Sequence, residues 1–176
     1  MINSEIKVNE VCGFYVNNWH LTTMILPYIN KSLKENRDII TIMEKGIKEE
    51  VKELLSRMNL NKNIEAEILN IDWTSKPVCK YSKIKEEIEE KLKDSKKLNI
   101  IINGTKEYIE IANQNMYKVI KDLKIKEITI INCYEITKQS DIKDILNKHE
   151  FVLNTSGINK IEDVFKDYKK QEKIAE

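Results

Sequence analysis

The stretch VCGFYVNNWHLTT, Val11 to Thr23, decides how the chain is read. Val11 to Val16 is an apolar run of strand length. Asn17, Asn18, Trp19 and His20 make a short polar turn, and Leu21, Met24, Ile25, Tyr28, Ile29 and Leu33 then recur at helical spacing. A strand, a turn and a helix at the head of a chain open an α/β domain. In many such domains this turn is a phosphate-binding loop. A GxxxxGK[ST] loop needs glycines for close backbone approach and a lysine for charge. The turn Asn17–His20 has neither.

Outward from that turn, strand-like and helix-like segments alternate. DIITIM (38–43) is a β-branched run, and Ile47, Val51, Leu54, Leu55 and Met58 follow at helical spacing. IEAEILNI (64–71) alternates in part and is expected as a third strand. DWTSKPVCKYS is an irregular connection of a length that is often functional. Ile84, Ile88 and Leu92 mark the next helix. LNIIIN (98–103) is a nearly continuous apolar strand closed by Gly104, and Thr105 is placed to cap a helix burying Tyr108, Ile109, Ala112, Met116, Val119 and Ile120. EITIINCY (127–134) is a fifth strand and FVLNT (151–155) a short sixth at an edge. Ile161, Val164, Phe165 and Tyr168 form the stripe of a last helix.

Continuous apolar strands are buried on both faces. The pattern therefore predicts an α/β three-layer sandwich, with helices on both sides of a mostly parallel sheet of five to six strands. No repeat or linker divides the chain, so one domain is expected, from residue 8 to 176, with its last helix from about residue 160.

Composition excludes several functions. The net charge is +1, and Arg37 and Arg57 are the only arginines, which argues against nucleic-acid binding. No apolar run approaches the roughly 20 residues of a membrane span. The N-terminus lacks signal-peptide character. Cys12, Cys79 and Cys133 are odd in number and form no CxxC pair. They read as reduced thiols, so a cytoplasmic location is expected. Cys12, His20, Cys133 and His149 have no metal-motif spacing, and no metal, cofactor or catalytic residue is expected. His149 suits a helix C-terminus, where the dipole favours it.

In an open parallel sheet, ligands bind beyond the carboxyl ends of the strands. Those ends carry Tyr15, Asn18, Trp19 and His20 after the first strand, and Glu44 and Lys45 after the second. Trp73 and Tyr81 lie in the irregular connection, Asn103 ends the fourth strand, and Tyr134 and Glu135 end the fifth. Aromatic walls with a few polar groups suit a small organic ligand, and replacing Trp19 or Trp73 by Ala is expected to weaken binding without unfolding. The alternative for the two tryptophans is that they cover the sheet end.

VCGFY with its helix through ILPYINKSLKEN, then DIITIM, and later INCYEITKQSDIKDILNKHEFVL, resemble the MEDS domain, the methanogen/methylotroph DcmR-type sensory domain. The resemblance spans Glu10 to Thr155 and is carried by Cys12, Phe14, Tyr15, Cys133, Tyr134, Glu135 and His149. Glu10 stands where the family often has histidine, Thr105 follows Gly104 where many members have an acidic residue, and Glu150 replaces the usual proline. The resemblance implies a RecA-like fold without an intact phosphate loop and a sensory module signalling through a regulatory partner protein. Two other readings stand beside it. One is a protein-binding adaptor or homodimerisation module using the Ile161–Tyr168 stripe; the other is a degenerate nucleotide binder.

Overall fold

The computed structural model describes residues 6–76, 81–91, 97–122, 127–136 and 139–165. Its elements are β1 (Lys7–Tyr15), α1 (Asn18–Lys34), β2 (Asp38–Met43), α2 (Lys48–Arg57), α3 (Lys62–Asn70), α4 (Tyr81–Lys91), β3 (Lys97–Gly104), α5 (Lys106–Asp122), β4 (Glu127–Glu135), α6 (Gln139–Asn147), β5 (Phe151–Asn154), β6 (Gly157–Lys160) and α7 (Ile161–Val164). The sheet order is β2-β3-β4-β1-β5-β6. All neighbours are parallel except β5 and β6, which form an antiparallel hairpin. The expected α/β sandwich with a mostly parallel sheet is therefore present.

Chain direction explains the layers. From β1 the chain crosses to β2 at one edge, then steps back through β3, β4 and β5. Right-handed crossovers place opposite steps on opposite faces. Accordingly α1 packs on one face with α2 and α3, while α4, α5 and α6 pack on the other. Strand alternation sorts the side chains. Val11, Tyr15, Ile131 and Cys133 face α1, whereas Cys12, Ile130 and Tyr134 face α5 and α6.

Residues 64–71, expected as a strand, are not one: Lys62–Asn70 is helix α3. The alternation of Ile64, Ala66 and Ile68 is overridden by a helical stripe. Ile68 is fully buried, Ile71 nearly so, and Leu60 and Ile64 pack against the same core, while Ala66 is exposed. Asn61 caps the helix by accepting from the Asn63 N–H. The sixth strand is instead supplied by β6. The edge thereby falls to β6, and β5 lies inside it, against β1.

Without the expected strand, β2 is an edge, and the chain covers the exposed backbone itself. The Lys76 N–H donates to Met43 O at 2.7 Å and its ammonium to Thr41 O at 3.1 Å. The Thr41 hydroxyl donates to Asp72 O, and the Ile47 N–H to Trp73 O at 3.0 Å. Residues 72–76 are thus a strap over the upper edge of β2, which removes a template for unwanted strand pairing. Gly46 permits the close approach, since a Cβ there would lie 2.9 Å from Trp73 O and 3.1 Å from Ser75 N.

Trp73 anchors the strap. It is 2% exposed, and its indole N–H donates to Ile68 O at 2.8 Å. Replacing it by Ala removes a large buried ring, so a loss of about 3–5 kcal/mol is expected, read as a lowered urea midpoint with loss of the strap's amide protection in hydrogen exchange.

Candidate functional site

β1 and β4 are adjacent, with Tyr15 opposite Glu135, yet their outgoing connections leave to opposite faces. That is a topological switch point, where a ligand crevice is expected. The Ile136 N–H donates to Tyr15 O at 2.9 Å and closes its base.

The phosphate-loop position is filled by two residues only, Val16 and Asn17, between the end of β1 and the start of α1. Asn17 is the N-cap, and its Oδ1 accepts from the His20 N–H at 2.9 Å. His20 turns its ring back, with Nδ1 accepting from the Val16 N–H at 3.2 Å. In the neutral ring this puts the proton on Nε2. Asn18 donates to Glu50 Oε1 at 3.2 Å and ties α1 to α2. Trp19 is 46% exposed and stands with the exposed Val16 at the rim.

The neighbouring helix start is also occupied from within. Glu44 Oε2 accepts from the Thr105 N–H at 3.3 Å and hydroxyl at 3.1 Å, while Thr105 Oγ1 accepts from the Tyr108 N–H as the sequence suggests. An internal carboxylate therefore holds the positive end of α5. Gly104, at φ +147°, makes room for it; a Cβ there would lie 2.7 Å from Glu44 Oε2 and 2.8 Å from Glu44 Cβ.

Between these helix starts, Tyr15 lies buried over Cys133, and its hydroxyl neighbours the Asn103 carboxamide. Asn103 Nδ2 donates to Lys45 O at 3.3 Å. Two buried atoms have no aligned hydrogen-bond partner, Tyr15 Oη and Asn103 Oδ1. Burial, reinforced by the Glu135 charge, pushes the Tyr15 hydroxyl well above the usual phenol range. At the surface, Lys45 Nζ pairs with Glu135 Oε2 at 3.1 Å and joins the β2 end to the β4 end. Glu44, Glu50, Glu135 and Lys45 stand around the crevice.

Of the residues singled out from the sequence, Tyr15, Asn103 and Glu135 converge here, with Asn18 and His20 at the α1 start. Tyr134 points to the other face, where its ring lies 6.3 Å from both Phe14 and His149. His149 is buried beyond the end of α6, and its Nδ1–H donates to Ile145 O at 2.7 Å. Trp73 is enclosed in the core and not in the crevice, so its replacement by Ala acts on stability. Tyr81 begins α4, and its side chain lies outside the described residues, as does Tyr168 of the C-terminal stripe. Ile161 and Phe165 of that stripe pack on the domain's own core. Glu44 and Lys45 complete the crevice. Their position at the end of β2 was the signal for them.

Two cavities lie apart from these residues. One of about 430 Å³ sits between α1 and the β5–β6 turn, and one of about 350 Å³ opens along β2 beside α4. Among the described residues, no three His, Cys, Asp or Glu side chains are grouped to hold a metal ion, and no helix is long and apolar enough to cross a membrane. The chain matches no protein-family model and no curated protein.

Burial raises several neutral acids around the crevice. The Cys12 thiol is pushed up to about 12 by burial, and Cys133 moves further in the same direction, first by burial and then by Cys12. Burial likewise raises Tyr15 and Tyr134. A raised folded-state value stabilises the protonated form. That stability is complete below the ordinary thiol value of 9.0 and is lost as pH rises past it. The urea midpoint should therefore fall above pH 9.0, and in a Cys12→Ala/Cys133→Ala variant the fall should begin nearer the phenol value of 10.0. An unchanged onset would remove the thiols from the account.

Proposed function

We propose that this protein is a non-catalytic regulatory domain that takes a small organic ligand into the crevice between the ends of β1 and β4 and passes the event to a partner protein. The observation that carries the reading is the buried Tyr15 hydroxyl beside the Asn103 carboxamide, a contact that leaves Tyr15 Oη and Asn103 Oδ1 outside any well-aligned hydrogen bond. A buried polar atom without a partner costs about 1–3 kcal/mol. The Lys45–Glu135 pair above them is exposed on the lysine side, and such pairs are worth about 0–1 kcal/mol. Opening the crevice therefore costs less than a ligand can recover by pairing the two atoms.

Electrostatics select the ligand class. The helix starts that could hold a phosphate are capped by Asn17 and Glu44, and the carboxylates of Glu44, Glu50 and Glu135 stand around the crevice. A neutral or amine-bearing molecule suits this crevice, and a nucleotide triphosphate does not. The resemblance of the sequence to the MEDS sensory domain agrees with this reading, and a cytoplasmic location belongs to it. Val16 and Trp19, exposed at the rim, are where opening would be felt by a partner, since a ligand shifts a conformation only by binding one form more tightly.

Thermal unfolding against a library of neutral and amine-bearing small molecules tests the proposal. A ligand at a hundred times its Kd adds about 2.7 kcal/mol, roughly 5–10 °C for a domain of this size. The shift should shrink in Asn103→Leu, and MgATP should give none. Stabilisation by MgATP, or hits indifferent to Asn103→Leu, would place the activity elsewhere.

A further inference from the structure

We propose a second, independent ligand site in the 430 Å³ cavity between the C-terminal half of α1 and the β5–β6 turn, for a small polyhydroxylated oxyanion such as a sugar acid or a sugar phosphate. Its volume lies within the roughly 300–1,000 Å³ of small-molecule pockets.

The floor is polar where a helix packing on a sheet is ordinarily apolar. Ser32 of α1 and Thr129 of β4 line it and are almost fully buried. Behind them lies Asn99 of β3, fully buried, its Nδ2 donating to Ser32 Oγ at 2.9 Å and its Oδ1 without a partner. The Tyr28 hydroxyl stands beside Ser32 and near Arg37. A floor of hydroxyls suits a ligand carrying O–H groups of its own.

The rim supplies charge. Lys31 and Arg37 line the cavity against a single carboxylate, Glu35. Arg37 is held at 3.4 Å from Glu35 and 3.6 Å from Glu127, which lies outside the lining. Both separations exceed the roughly 2.7–2.9 Å of charge-assisted bonds, so guanidinium donors remain to be taken. Lys31 makes no ion pair among the described residues. With Glu35 and Glu127 both facing Arg37, Lys31 is the cation left over at the rim, which suits a ligand of low negative charge and not a polyanion. The floor hydroxyls both donate and accept while Lys31 offers one charge; a molecule bearing several O–H groups and one oxyanion engages floor and rim together, whereas a neutral sugar leaves the charge unused and a small inorganic anion leaves most of the floor unused.

The test is isothermal titration of the full chain with gluconate, glucose 6-phosphate, glucose and inorganic phosphate. At least one of the two sugar oxyanions should bind, and glucose and inorganic phosphate should each bind roughly tenfold more weakly or worse. Binding of gluconate alone assigns the carboxylate source, and binding of glucose 6-phosphate alone the phosphate source. In Lys31→Glu, a change at an exposed position that leaves the core untouched, the same affinity should fall by about tenfold or more. The inference is overturned if neither sugar oxyanion binds at roughly 10 mM. It is equally overturned if glucose or inorganic phosphate binds as well, or if Lys31→Glu binds unchanged.

Discussion

Polar atoms taken out of water must be paired, and the carboxyl end of this sheet is organised by where that demand is met and where it is not. Asn17 meets it for α1, and Glu44 meets it for α5. Tyr15 Oη and Asn103 Oδ1, on strands β1 and β3 with β4 between them, meet there without a well-aligned hydrogen bond. Each unpaired atom costs more than an exposed ion pair can return. The Lys45–Glu135 bridge is therefore a weak cover over a poorly satisfied part of the core. At the carboxyl end of the sheet that imbalance marks the switch point chemically as well as topologically.

The scaffold that positions this crevice depends on the edge of β2. Residues 72–76 occupy the hydrogen-bonding groups of Thr41 and Met43, and the Trp73 ring fills the space beneath α3. The strap thereby holds the segment from Glu44 to Ile47 against the sheet. Glu44 is then in place at the start of α5, and Lys45 can reach Glu135. The long irregular connection has a structural task, and its tryptophan is a core residue.

Much of the fold was legible in the sequence because the apolar periods were unambiguous. The core stripe of α5 and the two central strands fall where their spacing puts them. Residues 64–71 misled because Ile64, Ala66 and Ile68 satisfy a period of two while Leu60, Ile64, Ile68 and Ile71 satisfy a helical one, and burial chose the second. β6 is four residues long and alternates only weakly, though the Asn154–Gly157 turn ahead of it, with Gly157 at φ +110°, was a local signal. At the site, the strand-end rule names Tyr15, Asn103, Glu135, Glu44 and Lys45, which the fold brings to one end of the sheet. It could not sort Tyr134 from Glu135, although consecutive strand residues face opposite ways. Exposure of Trp19 and enclosure of Trp73 depend on tertiary packing that no local pattern carries. The polar floor of Ser32, Thr129 and Asn99 joins three separate elements and had no sequence signature at all.

The most direct measurement of the central claim is native mass spectrometry of freshly purified protein beside its denatured mass, for the wild type and for Tyr15→Phe/Asn103→Leu. The account predicts that the wild type carries a small organic adduct released on denaturation, and that the double variant, folded and apo, does not. An adduct retained by the double variant, or a wild type that remains apo and takes up no neutral or amine-bearing molecule when these are supplied, would contradict it.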